Sequence, residues 1–125
     1  MADDPASIPS QNFVPLRGSH RELLPESRPA GSIDPTEVVS ITVRTRSTGD
    51  VADLERRVRD MYSQPLDQRR YLSRPELAQT YGAGADDLDA VERYAQQHNL
   101  VVSERNAAQR SVVLTGTLGN LLSAF

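Results

Sequence analysis

The chain has no cysteine and no lysine. Without cysteine there is no disulfide framework, no thiol nucleophile and no thiolate metal site. Without lysine all 14 basic side chains are arginines, cationic at any relevant pH and able to pair bidentately with carboxylates, whether used for that or reflecting a genome-wide arginine bias. Positive charge is also in deficit. The formal net charge is -3 at pH 7, so no overall field draws the chain onto nucleic acid or an anionic membrane. No apolar run approaches the ~18 residues of a membrane span, and the opening Met-Ala-Asp-Asp-Pro lacks the basic and apolar regions of a recognisable signal peptide.

A catalytic constellation is missing as well. His20 and His98 have no carboxylate at ligand spacing, so no metal site is expected; His20 reads as solvated and His98 as sitting near a helix C-terminus, where its partial charge is favourable. Asp86, Asp87 and Asp89 lack the alternating ligand pattern of a calcium loop and fit the acidic start of a helix. No lysine follows Gly82, Gly84, Gly116 or Gly119, which excludes a phosphate-loop fingerprint. Ser19, Ser73 and Ser111 show no base partner. Tyr62, Tyr71, Tyr81 and Tyr94 read as packing residues with polar tips.

What is present divides the 125 residues into an arm and one modest domain. Six of the eight prolines (Pro5, Pro9, Pro15, Pro25, Pro29, Pro35) fall in residues 1–36, which blocks helical ladders and favours an extended, Pro-rich arm. Phe13, Val14 and Leu16 either pin that arm to a surface or are incidental. Residues 37–125 carry the periodicity of a folded core.

Val39, Ile41, Val43 and Thr45 alternate with Ser40, Thr42, Arg44 and Arg46, the pattern of a half-buried strand. Asp50 is placed to cap a helix with Val51, Leu54, Val58 and Met61 on one stripe, expected to pack on the sheet. A polar loop over 63–72 precedes Ser73-Arg74-Pro75-Glu76, a capping box with proline in the first turn, and a short helix ending at Gly82-Ala83-Gly84. Leu88, Val91, Tyr94 and Ala95 form the stripe of the next helix, and Asn99 is a left-handed stop. Strands follow from Leu100 and over Arg110–Thr115, joined through 105–109. Thr117 then caps a last helix with Leu118, Leu121, Leu122 and Phe125 expected to face inward.

Three strands and two main helices in this order make most of a β-α-β-β-α-β unit. The expected fold is α+β, a ferredoxin-like antiparallel sheet with helices on one face and the final strand missing. That strand would pair beside residues 37–46, so its absence leaves an edge open and suggests a fragment of a longer polypeptide.

Four stretches, Val14-Pro15-Leu16-Arg17-Gly18-Ser19, Val39 to Arg46, Leu72 to Gly82 and His98 to Phe125, resemble the activation prodomain of sedolisin-type serine-carboxyl peptidases, particularly the kumamolisin prosegment. Asn99 stands where that family commonly has glycine; both accept a left-handed backbone. The resemblance implies a non-catalytic propeptide of an exported, extracellular peptidase precursor. It would act as an intramolecular chaperone and inhibitor until acid-triggered removal, with the cognate peptidase domain as partner. The family's catalytic residues and calcium site have no counterpart in this chain, so no cofactor is expected in it. Under this reading the docking face is Ser40, Thr42, Arg44 and Arg46 joined by Ser111, Val113 and Thr115. The alternative is a free-standing ferredoxin-like regulatory module that binds a small ligand or dimerises through its open edge.

Overall fold

The computed structural model describes Val14, Arg17, Gly18 and residues 21–125 of the chain. Phe13 and Leu16 of the arm's apolar cluster, together with Ser19 and His20, lie outside the described residues. Two compact units are present, Met1–Ser32 and Ile33–Phe125. Among its described residues the first has no helix or strand; a turn closes from Ser27 N–H to Leu24 O at 3.0 Å. In the second, Pro35 O accepts from Gly119 N–H at 2.9 Å and Glu37 O from Leu118 N–H at 2.7 Å, which joins residues 35–37 to the start of the last helix.

The second unit runs β1 (Val38–Arg44), α1 (Val51–Ser63), a 3-10 turn at Leu66–Gln68, α2 (Arg74–Tyr81), α3 (Ala85–Gln97), β2 (Val101–Asn106), β3 (Ser111–Thr117) and α4 (Leu118–Ala124). The sheet is antiparallel in the order β1-β3-β2, so β3 is central and β1 lies at an edge. This is an α+β, ferredoxin-like arrangement.

Local chemistry explains the boundaries. Asp50 accepts from Ala52 N–H, and Ser73 and Glu76 exchange both bonds of a capping box at the start of α2. Asn99 has φ 56°, the left-handed stop that turns α3 into β2. Gly82 closes α2 for a different reason: its backbone is extended, and a Cβ would stand 2.2 Å from Ala78 O and 3.0 Å from Ala107 O. Thr117 Oγ1 accepts from Asn120 N–H and starts α4.

The core sits between the sheet and α3 with α4. Leu88, Ala95, Leu100, Val112, Leu114, Leu121 and Ala124 form one buried cluster, with Val39, Ile41, Val43, Val91 and Tyr94 against its margin. The Tyr94 hydroxyl donates to Ala124 O, tying α3 to α4 on the same face.

Three expectations are corrected. The helix over 51–63 does not pack on the sheet: α1 has no buried residue and contributes nothing to the core cluster, because α3 and α4 already occupy the inner face. Leu122 and Phe125 are exposed rather than inward, since a helix as short as α4 presents one narrow stripe, here Leu121 and Ala124. Arg105 and Asn106 belong to β2, not to the connection. A bulge between Val102 and Glu104 re-phases that strand and brings Arg105 to the inner side, where it meets Asp89 at 2.7 Å and Glu92 at 2.9 Å on α3.

Burial ranks the two groups of apolar residues. Leu114→Ala is expected to cost about 2–5 kcal/mol of unfolding free energy, the range for emptying a filled core site. Val58→Ala on α1 is expected to stay within about 0.5 kcal/mol. Urea denaturation of both variants checks the contrast; equal losses would place α1 in the same cooperative core as β3.

Candidate docking face

Alternation along β1 puts Val39, Ile41 and Val43 on the core side and Ser40, Thr42 and Arg44 on the other. Register then completes the outer face: Ser40 stands opposite Thr115, Thr42 opposite Val113 and Arg44 opposite Ser111. From β2, Val101 faces Thr115 and Glu104 faces Val113, while Ser103 occupies the bulge.

The surface is mostly hydroxyl. Ser40 Oγ and Thr115 Oγ1 are 2.7 Å apart, Ser103 Oγ lies 3.1 Å from the same Thr115 oxygen, and Ser103 Oγ also donates to Val113 O at 3.2 Å. Hydroxyls bonded across strands hold each other's rotamers, so the side chains of this face are preorganised. Val101 is 66% exposed beside them. Arg44 and Glu104 are the charged side chains that the paired positions of this face contribute.

Two of the seven sequence-selected residues stand apart from the others. Ser111 has the outward register, yet it is buried and presents little surface. Arg46 lies beyond the end of β1 and makes a bidentate pair with Asp87 in the first turn of α3, Nε to Oδ2 at 2.7 Å and Nη2 to Oδ1 at 3.1 Å. The carboxylate beside it raises the Arg46 pKa further. Ser40, Thr42, Arg44, Val113 and Thr115 do come together. Val101, Ser103 and Glu104 were not singled out from the sequence, because their facing depends on the bulge, and the string Val-Val-Ser-Glu-Arg carries no residue that announces one.

A groove lies away from the sheet. An open groove of about 630 Å³ runs between α1, the following loop and α2, with Leu54, Val58 and Met61 on one wall and Tyr71, Leu72 and Leu77 on the other. This is where the α1 stripe points. Among the described residues no group of three or more His, Asp or Glu side chains is arranged to hold a metal ion, and no helix is long and apolar enough to cross a membrane.

Comparison with known proteins gives this geometry its setting. Kumamolisin of Bacillus sp. (strain MN-32) is 28% identical to the chain over 111 residues, 88% of this chain. The same alignment covers 20% of kumamolisin, so the chain spans about a fifth of the length of that relative. The family described as pro-kumamolisin, activation domain, matches residues 25–125, which takes in every helix and strand described above. With that match running from residue 25 through α4, the chain belongs to the pro-kumamolisin activation domain family.

Proposed function

We propose that the chain is the propeptide of a sedolisin-type serine endopeptidase precursor, and that it acts as chaperone and inhibitor of that peptidase until acid allows its removal. The observation that carries the reading is the outer sheet face. It is preorganised by its hydroxyl ladder, poor in charge and uncovered by the chain's own helices, in a member of a family of activation domains. Such a face suits docking, since interface centres are depleted of charge and lose little side-chain entropy when their rotamers are already held.

In this reading Ser40, Thr42, Arg44, Val113 and Thr115, with Val101, Ser103 and Glu104, meet the peptidase domain. The open edge of β1 offers a place for a further strand. Binding the folded peptidase in preference to its unfolded forms shifts the folding equilibrium by mass action, which is the chaperone activity. Inhibition follows when the segment joining propeptide to peptidase lies in the substrate cleft. Arg46 is left out of the docking set because it lies beyond the end of β1, where its exposed guanidinium pairs with Asp87. The partner peptidase, its export and its extracellular work are parts of the same proposal.

Release in acid has a simple source: carboxylates paired with arginines across the interface lose their charge as pH falls toward and below about 4. Stability of the complex is then present above that range and lost below it. The mature domain of a kumamolisin-type peptidase, assayed with the purified chain in trans, is expected to be inhibited near neutrality and freed in acid. Equal inhibition across the range would remove carboxylate protonation as the release step.

Placing charge at the centre of the face tests the geometry. The double variant Thr42→Arg, Thr115→Arg is expected to weaken inhibition at least about ten-fold. Arg46→Gln is expected to leave it within about two-fold, as the exposed pair it breaks contributes little. An unweakened double variant would move the docking site off the sheet.

A further inference from the structure

The connection from β1 to α3 closes on itself before it reaches its helices. At its two feet, Thr45 N–H donates to Arg110 O at 2.9 Å and Ala83 N–H to Ala107 O at 2.8 Å, so both are fastened to the turn between β2 and β3. Just outward, Gly82 O accepts from Thr48 N–H at 2.9 Å and from Thr48 Oγ1 at 3.1 Å, and Tyr81 O accepts from Ser47 Oγ at 2.9 Å. These bonds form a neck. Beyond it residues 49–81 make a lobe of α1, the 3-10 turn and α2 that adds no residue to the core cluster.

The one buried side chain of this lobe is Tyr81. Its ring covers Gly49, where a Cβ would stand 2.7 Å from Tyr81 Cδ1 and 2.4 Å from Thr80 O. Its hydroxyl donates to Asp53 Oδ2 at 2.7 Å, and among the described residues this is the side-chain hydrogen bond that joins α1 to α2. Asp53 also accepts from Arg56 Nη2 at 3.1 Å and Arg57 Nε at 3.0 Å. It sits in the first turn of α1, where the positive end of the helix adds to the attraction for a carboxylate.

We propose that Asp53 and Tyr81 form an acid-released pin, and that the lobe 49–81 is where the folded domain is first opened and cut by a protease when pH falls. The consequence for maturation rests on the propeptide reading; the pin is a property of this chain. Protonated Asp53 leaves the Tyr81 hydroxyl only a neutral acceptor in place of a charged one, gives Arg56 and Arg57 no counter-charge and loses the attraction of the helix end. Its carboxyl is held below the ordinary 3.8 by the Tyr81 hydroxyl first, then by Arg56 and Arg57. A depressed folded-state pKa means that the stabilisation is complete above the ordinary carboxylate value and disappears as pH falls through the folded one.

Composition amplifies the effect. Residues 49–81 contain six carboxylates and six arginines, so the lobe is neutral near pH 7 and carries six uncompensated positive charges once the carboxylates are protonated. Self-repulsion acts on a segment with no core of its own to oppose it. Cleavage of a folded chain requires local opening, and its rate follows the population of the open form when closing is fast.

Limited proteolysis of the whole 125-residue chain tests this, with thermolysin near neutrality, pepsin near pH 3 and fragments identified by mass. Near pH 7, Asp53→Asn and Tyr81→Phe are each expected to be cut within 49–81 roughly five-fold faster than the wild type, with the β2–β3 hairpin intact. Asp60→Asn, which removes a carboxylate of α1 outside the pin, is expected to match the wild type. In acid the wild type is expected to be cut in the same lobe and to approach the rate of Asp53→Asn. Equal neutral rates for the wild type and both pin variants would overturn the proposal, as would first cuts of residues 37–125 in the hairpin or α3. Absence of inhibition in trans by the wild-type chain would strike the propeptide reading alone, because these cleavage sites are read without the peptidase.

Discussion

Everything in this domain depends on β3 being paired along both edges while its side chains Val112 and Leu114 are completely buried. A central strand has its backbone groups satisfied by β1 and β2, so only its two faces remain to be used. The inner one takes α3 and α4, whose Leu88, Ala95, Leu121 and Ala124 close over Val112 and Leu114. No room remains there for α1. The outer face is left to Ser40, Thr42, Val113 and Thr115, polar or small enough to meet water. One strand's burial thus decides both the exclusion of α1 from the core and the bareness of the face proposed to dock.

Two kinds of cohesion coexist in the second unit. Around the sheet the cohesion is mainly apolar, the buried cluster carrying no titratable group, with the pairs of Arg105 to Asp89 and Glu92 and of Arg46 to Asp87 at its margin. In the lobe it is polar and local: helix caps at Asp50 and Ser73, the neck at Thr48 and Gly82, and the Asp53 carboxylate under Tyr81. Such a division lets one part of a small domain loosen while the other keeps its shape. For a segment proposed to hold a partner first and be dismantled later, that combination is physically coherent.

Much of the fold is legible in the sequence because it is written in local chemistry. Strand alternation over 39–45, the Asp50 cap, the Ser73 and Glu76 box, the left-handed Asn99 and the Thr117 cap each depend on neighbours within a few positions. The outer residues of β1 and β3 were legible for the same reason, as a period of two needs no knowledge of the partner strand. Family membership was carried by the order of these signals, and the matched residues 25–125 span them.

What the sequence by itself determined is therefore which segments become helix or strand and which side of each strand is apolar. Tertiary structure alone decided which helix won the sheet. The stripes of α1 and α3 look alike as strings, and only competition for the surface above Val112 and Leu114 separates them. It also decided the fate of the charges: Arg46 was paired with Asp87, Arg105 was turned inward by a bulge, and Asp53 met a tyrosine 28 positions away. The physical reason is range. Backbone propensity, capping and alternation act over one to four residues, whereas burial and ion pairing act between whatever the folded chain brings together.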